Sequence, residues 1–214
     1  MRIQDLPERL RVTERDIRRL IVLAWNSGDS SFGCLACLAY EFLLRVANEA
    51  VPLECGTPLE AVAKLPEDRH SGLWLDGESV CLKLRSRKHR PQGSLLIRNC
   101  NCAGQDGDSR LCPAHSLQHL SPGSPLFPDL SASQAQRKLR RYLTLLQVPG
   151  AHTATLKCFR ASKATYMADQ GRPIHQILAA GEWRCAAILN YANEDSLDRG
   201  AVLLQSLEQS DEES

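Results

Sequence analysis

LKCFRASKAT, residues 156–165, reads as the middle of a helix over 155–170 that Gly171 and Pro173 bring to a close. Arg160 and Lys163 lie three residues apart, on one face of that helix. A short helix over 174–180, closed by Gly181, follows at once, and the two make a helix-turn-helix-like pair. Downstream, 184–191 reads as helical. Asp195 then caps a last helix with an apolar stripe of Leu197, Val202, Leu204 and Leu207. Upstream, 131–147 reads as a basic amphipathic helix ended by Pro149 and Gly150.

Further from that centre the pattern changes. Over 72–97 the stretches GLWLDG and ESVCLKLRSR alternate apolar and polar residues, RPQG gives a turn and SLLIR a further strand, which predicts a small antiparallel sheet. Between sheet and basic helix, 99–130 is loop-like, rich in Gly, Pro, Ser and Asp. Near the start, Thr13 and Asp16 form a capping-box-like opening to a helix through Ile17, Leu20, Ile21, Leu23 and Ala24. NSGDSSFG breaks it, and CLACLAYEFLL, 34–44, reads as a helix buried on most sides, with Arg45 directly after. These elements make an α+β chain, mainly helical with one small sheet.

With 214 residues, one domain is expected: a lead-in over 1–12, the domain proper over 13–194 with an insertion at 99–130, and a C-terminal helix and acidic tail over 195–214. No apolar run approaches the roughly 18 residues of a membrane span, so no membrane role is expected. The N-terminus is charged and lacks a secretory apolar stretch, which places the nine cysteines in a reducing, intracellular setting, nuclear if the source is eukaryotic. The net charge of +1 hides an uneven distribution. Lys83, Arg85, Arg87, Lys88, Arg90 and Arg98 lie in a stretch with no acid, Arg137, Lys138, Arg140 and Arg141 form a second cluster, and the tail LEQSDEES is acidic. Taken alone each cluster is a solvated basic face; together they are the kind of patch that binds phosphates.

Five motifs follow in one order: LLRVANEAVPL, SRKHRPQGSL, LKCFRASKAT, AAGEW and NYANE. This order resembles the phage-integrase or tyrosine recombinase family. The variants R-V-x-x-E, F-R-A-S-K-A-T and A-G-E-W-R, with a C-x-C and C-P-x-H insertion, look most like crypton-type transposon recombinases. The resemblance covers most of the chain. It implies the mainly α-helical DNA breaking-rejoining catalytic fold, with DNA as partner and a homo-oligomer on DNA formed through the C-terminal helix.

It also implies roles. Tyr191 would be the nucleophile, Arg45 and Arg160 the clamp on the non-bridging phosphate oxygens, Lys88 the general acid, and Trp183 a supporting indole donor. Lys157 stands where the family's His is usual. Arg85, Arg87, Arg90, Lys163 and Arg184 would contact DNA. The chemistry explains these residue types, because a tyrosine with a pKa near 10 is only about 0.1% ionised at pH 7 and the phosphodiester repels it. Fork-shaped guanidinium donors offset the charge of the pentacoordinate transition state, about 3 to 4 kcal/mol each if they act like single oxyanion-hole donors. No cofactor is required for this chemistry. The acid after Arg45 is Glu49, at four residues, where most members place it at three. Trp183 lies eight residues before Tyr191, and a spacing of nine would land on Glu182, which is no donor when ionised.

Cys100, Cys102, Cys112 and His115 form C-x-C and C-P-A-H, a donor set suited to a structural zinc ion; free thiols in a flexible insertion are the competing reading. Cys34 and Cys37 share C-x-x-C spacing but fall in the apolar helix and read as core. Two alternatives to strand exchange stand beside it: a catalytically silent, domesticated DNA-binding domain of the same fold, and a protein-contact scaffold. The scaffold leaves the basic hairpin unexplained.

Overall fold

In the computed structural model, which describes residues 11–55, 71–87, 92–100, 102, 107–118 and 125–183, Thr13 opens α1 (Glu14–Asn26) with a complete capping box. Asp16 N donates to Thr13 Oγ1 at 3.2 Å, and Thr13 N donates to Asp16 Oδ2 at 3.0 Å. Ile17, Leu20, Ile21 and Ala24 then recur at helical spacing and bury one stripe against α2 (Ser30–Glu41). Every residue from Phe32 to Tyr40 is buried, so α2 is the axis of the molecule.

The start of α2 corrects the sequence reading, which began the helix at Cys34. NSGDSSFG does not break the chain for long, because Asp29 is held by a distant element. Its carboxylate takes Lys138 Nζ at 2.7 Å and the Tyr142 hydroxyl at 3.1 Å, both from α4 (Ala132–Leu145), and Phe32 stacks on Tyr142 with ring centroids 5.5 Å apart. Gly33 is helical, and a Cβ there would lie 2.7 Å from the Trp25 ring. It is a contact glycine. α4 carries its own capping box, from Ser131 and Gln134, and buries Ala135, Leu139, Tyr142 and Leu143.

The sheet runs in the order β1 (Glu54–Cys55), β2 (Gly72–Asp76), β3 (Ser79–Leu84), β4 (Ser94–Asn99). β2, β3 and β4 are antiparallel as expected, whereas β1 adds two residues in parallel with β2, too few to carry any alternation. Leu73, Leu82 and Leu96 share a cross-strand row and face the core; the next row, Trp74, Cys81 and Ile97, faces away. Gly93 begins the return into β4 with φ +75°, where a Cβ would sit 2.0 Å from the Leu84 carbonyl oxygen.

The insertion holds more structure than the loop reading allowed. Asp108 caps a 3-10 turn (Ser109–Leu111) that leads into α3 (Pro113–Gln118), and Leu126, Phe127 and Leu130 are buried in the main core. The basic helix leads through a second 3-10 turn (Ala151–Thr153) into α5 (Lys157–Asp169), and α6 (Ile174–Gly181) follows as expected. Between α2 and Arg45 the backbone turns at Leu43, which has φ +51°. Phe42 and Leu44 belong to the main core, while Leu43 points into a second, smaller one with Ala164 and Ile177. Tyr191 with the expected helix over 184–191, Arg184, Lys88, Arg90 and the helix expected from Asp195 lie outside the described residues. Among the described residues no helix is long and apolar enough to cross a membrane.

Candidate functional site

Arg45 opens a single π-helical turn (Val46–Ala50), and that turn brings Glu49 back beneath it. Arg45 N donates to Glu49 Oε2 at 2.8 Å and Arg45 Nε to Oε1 at 2.7 Å. An acid four residues on meets its arginine across this one turn, where Glu49 N also donates to the Arg45 carbonyl at 2.8 Å. Arg45 keeps 34% of its side chain exposed, and Glu49 is buried.

Arg87 is placed differently from the sequence reading, which set it among the surface phosphate contacts. Its side chain is only 5% exposed, and its donors are committed inward. Nε and Nη2 reach Glu49 at 3.3 and 3.2 Å, Nη2 also reaches the Leu43 carbonyl at 3.3 Å, and Nη1 reaches Glu182 Oε2 at 2.8 Å. A guanidinium so occupied positions its neighbours and has little left to offer a phosphate. From the described residues Glu49 therefore accepts four hydrogen bonds. Burial pushes its carboxyl upward, but the bonds and charge of Arg87, joined by Arg45, outweigh that and hold it below the usual carboxylate range.

Glu182, which follows α6, adopts φ +50° and accepts from the Ser94 hydroxyl as well as Arg87, so it pins the turn after α6 to the base of the β3–β4 hairpin. The sequence reading passed over it as a failed donor. Its signal was its charge, an acid in the turn of an otherwise basic set. One residue either side, the same turn meets Arg160: Nη2 donates to the Gly181 carbonyl, and the guanidinium stacks 4.2 Å from the Trp183 ring centroid. A Cβ on Gly181 would fall 1.9 Å from that ring, which is why the residue before Glu182 is glycine.

Arg45, Arg87, Arg160 and Trp183, far apart in sequence, thus belong to one connected set through Glu49, Glu182 and Gly181. Lys157 is the first residue of α5 and exposed, one helical turn before Arg160. Lys163, one turn after, is tied to Glu41 at 2.8 Å and lies 4.7 Å over the Tyr40 ring. Arg98, not singled out from sequence as a site residue, donates from Nε to the Glu41 carbonyl at 3.1 Å. Arg98, Lys163 and Arg172 line a cleft of about 670 Å³ whose one acidic wall residue is Glu41. Arg85 is exposed just beyond β3.

Next to α3 and the 3-10 turn before it, which α2 contacts through Cys34 and Cys37, the four expected metal ligands do come together. The donor atoms of Cys100, Cys102, Cys112 and His115 all lie within 4.8 Å of one another, a Cys3His cluster able to hold a metal ion. Cys37 donates to the Leu111 carbonyl at 3.4 Å and Cys34 to Ser116 Oγ at 3.7 Å. Burial raises both thiols, Cys34 to about 12, so they stay protonated donors within the core, as read from sequence.

No protein-family model and no curated protein matches the chain. Among solved structures, the site-specific recombinase XerH, bound to its difH substrate in a pre-cleavage complex, superposes with a TM-score of 0.58 over 94% of this chain at 11% identity. The match covers 55% of that chain, so this protein spans about half the length of XerH. The likeness is one of fold: a mixed architecture resembling a tyrosine recombinase catalytic domain.

Proposed function

We propose that this protein cleaves and rejoins DNA at specific sites through a 3'-phosphotyrosyl intermediate, and that it derives from a crypton-type transposon. The observation that carries the reading is the linkage of Arg45, Arg87, Arg160 and Trp183, from separate segments, around the Gly181–Glu182 turn on a recombinase-like fold. The phenolic oxygen of Tyr191 attacks phosphorus as its proton passes to solvent. The P–O5' bond breaks, and Lys88 protonates the departing 5' oxygen. Attack by a 5'-hydroxyl reverses the step, so the phosphodiester energy is conserved and no ATP is consumed. Arg45 and Arg160 clamp the non-bridging oxygens, more tightly as charge builds in the transition state. Lys157 adds a cation at the start of α5. Trp183 orients Arg160. Arg85, Arg90, Lys163 and Arg184 bind the DNA backbone, and the helix from Asp195 docks onto a neighbouring protomer. Zinc in the Cys3His cluster serves the scaffold.

The test is a trapping assay. DNA nicked beside the scissile phosphate loses its 5'-hydroxyl fragment and should leave a covalent protein–DNA adduct, present in the wild type and absent in Tyr191→Phe. The second reading is a silent DNA-binding domain, favoured by Lys157 in place of His and by the engagement of Arg160 with Gly181. Salt-sensitive binding with no adduct across a broad substrate library would select it, and no salt-sensitive binding at all would sink both.

A further inference from the structure

We infer that Cys100, Cys102, Cys112 and His115 bind one zinc ion, and that the ion is a clip joining the end of β4 to the start of α3, which packs on α2. A tetrahedral ion with Zn–S near 2.3 Å and Zn–N near 2.0 Å sets ligand edges of about 3.8 Å between sulfurs and about 3.5 Å between sulfur and nitrogen. Three of the six edges come close to these values, and all four donor atoms lie within 4.8 Å of one another. Cys112 Sγ lies 3.6 Å from Cys100 Sγ, and His115 Nδ1 lies 3.6 Å from Cys100 Sγ and 3.3 Å from Cys102 Sγ. One ring nitrogen facing two thiols at once has the convergence of ligands about a shared centre, since Nδ1 can donate one proton or accept one, but not satisfy both sulfurs. Three thiolates and an imidazole are a soft, closed set of four, which selects zinc in a structural rather than a catalytic site.

The position gives the ion its task. Cys100 directly follows β4, and its N donates to the Glu78 carbonyl at 2.7 Å at the β2–β3 turn. Cys112 and His115 bracket the first turn of α3, and Ser116 and Leu111 beside them receive the thiols of α2. The clip therefore ties the sheet that carries the basic hairpin to α3 and the 3-10 turn before it, which α2 meets through the Cys34 and Cys37 thiols. It does so next to the polar, Gly-rich stretch AGQDGDS, 103–109, while α3 on its far side is packed in the core through Ala114 and Leu117. This inference is independent of the DNA chemistry.

The test uses the full chain purified under reducing conditions, loaded with zinc and dialysed. Metal analysis should give one equivalent per chain, and cobalt exchanged into the site should show thiolate-to-metal charge transfer and the visible bands of a tetrahedral ion. Cys112→Ser and His115→Ala should each lower retained zinc at least about tenfold. Chelation of the wild type, which needs no variant to fold, should open 100–118 to protease and leave α1 protected. Zinc below about a tenth of an equivalent in the loaded wild type would overturn the site. So would a Cys100–Cys112 disulfide found by mass spectrometry in its place, or full retention of zinc by the Cys112→Ser, His115→Ala double variant. Stoichiometric zinc with unchanged protease sensitivity on chelation would overturn the clip.

Discussion

Glu49 shows how much of the site is decided by single side chains. With four donors around it, the buried carboxylate is compensated; with a neutral amide in its place, Arg87 would keep its charge in the interior against half a partner. Glu49→Gln should cost about 3 kcal/mol, read from the urea midpoint at constant m-value. The same group sets a pH dependence. Its folded pKa lies below its unfolded value, so its contribution is complete above the unfolded pKa of about 4.3 and is lost as the pH falls through the lower folded value. Wild-type stability should therefore fall more steeply than that of Glu49→Gln on acidification below pH of about 4; parallel curves would contradict the assignment. The Arg45–Glu49 pairing was within reach of the sequence because the two are four residues apart. The burial of Arg87 was not, since its carboxylate partners lie 38 and 95 residues away.

At the scale of elements, the turn after α6 is where separate segments are made to agree. Gly181→Ala puts a methyl group into the Trp183 ring, so the indole must leave Arg160 while α6 itself can persist. Tryptophan emission should shift in that variant with far-UV circular dichroism unchanged; an unmoved spectrum would mean that the stack does not define the turn. Local signals gave these elements away in proportion to how local their causes are. The capping box of α1 and the alternation of β2 to β4 could be read directly, because each is completed within a few residues. The true start of α2 could not, because Asp29 is satisfied by Lys138 and Tyr142 across more than a hundred positions. β1 is two residues long and exists only through its pairing. The Cys3His cluster was legible as spacing, and its closure depends on α3, which a loop reading does not contain.

For the molecule as a whole, the recombinase-like fold was legible in the order of motifs rather than in any one of them. What the order could not convey is how its parts share stability. Leu43, with its left-handed backbone, is the joint at which the chain leaves one apolar interior and enters another. The first is large and centred on α2; the second rests on Leu43, Ala164 and Ile177 and holds α6. Two interiors of such unequal size open at different free energies. Backbone amides of α6 should exchange with deuterium well before those of α2, and Leu43→Ala should widen the gap by accelerating α6 alone, whereas uniform exchange would mean one cooperative unit. The consequence is a division of labour in time: the arm that carries Gly181, Glu182 and Trp183 can loosen and re-dock on a frame that stays folded.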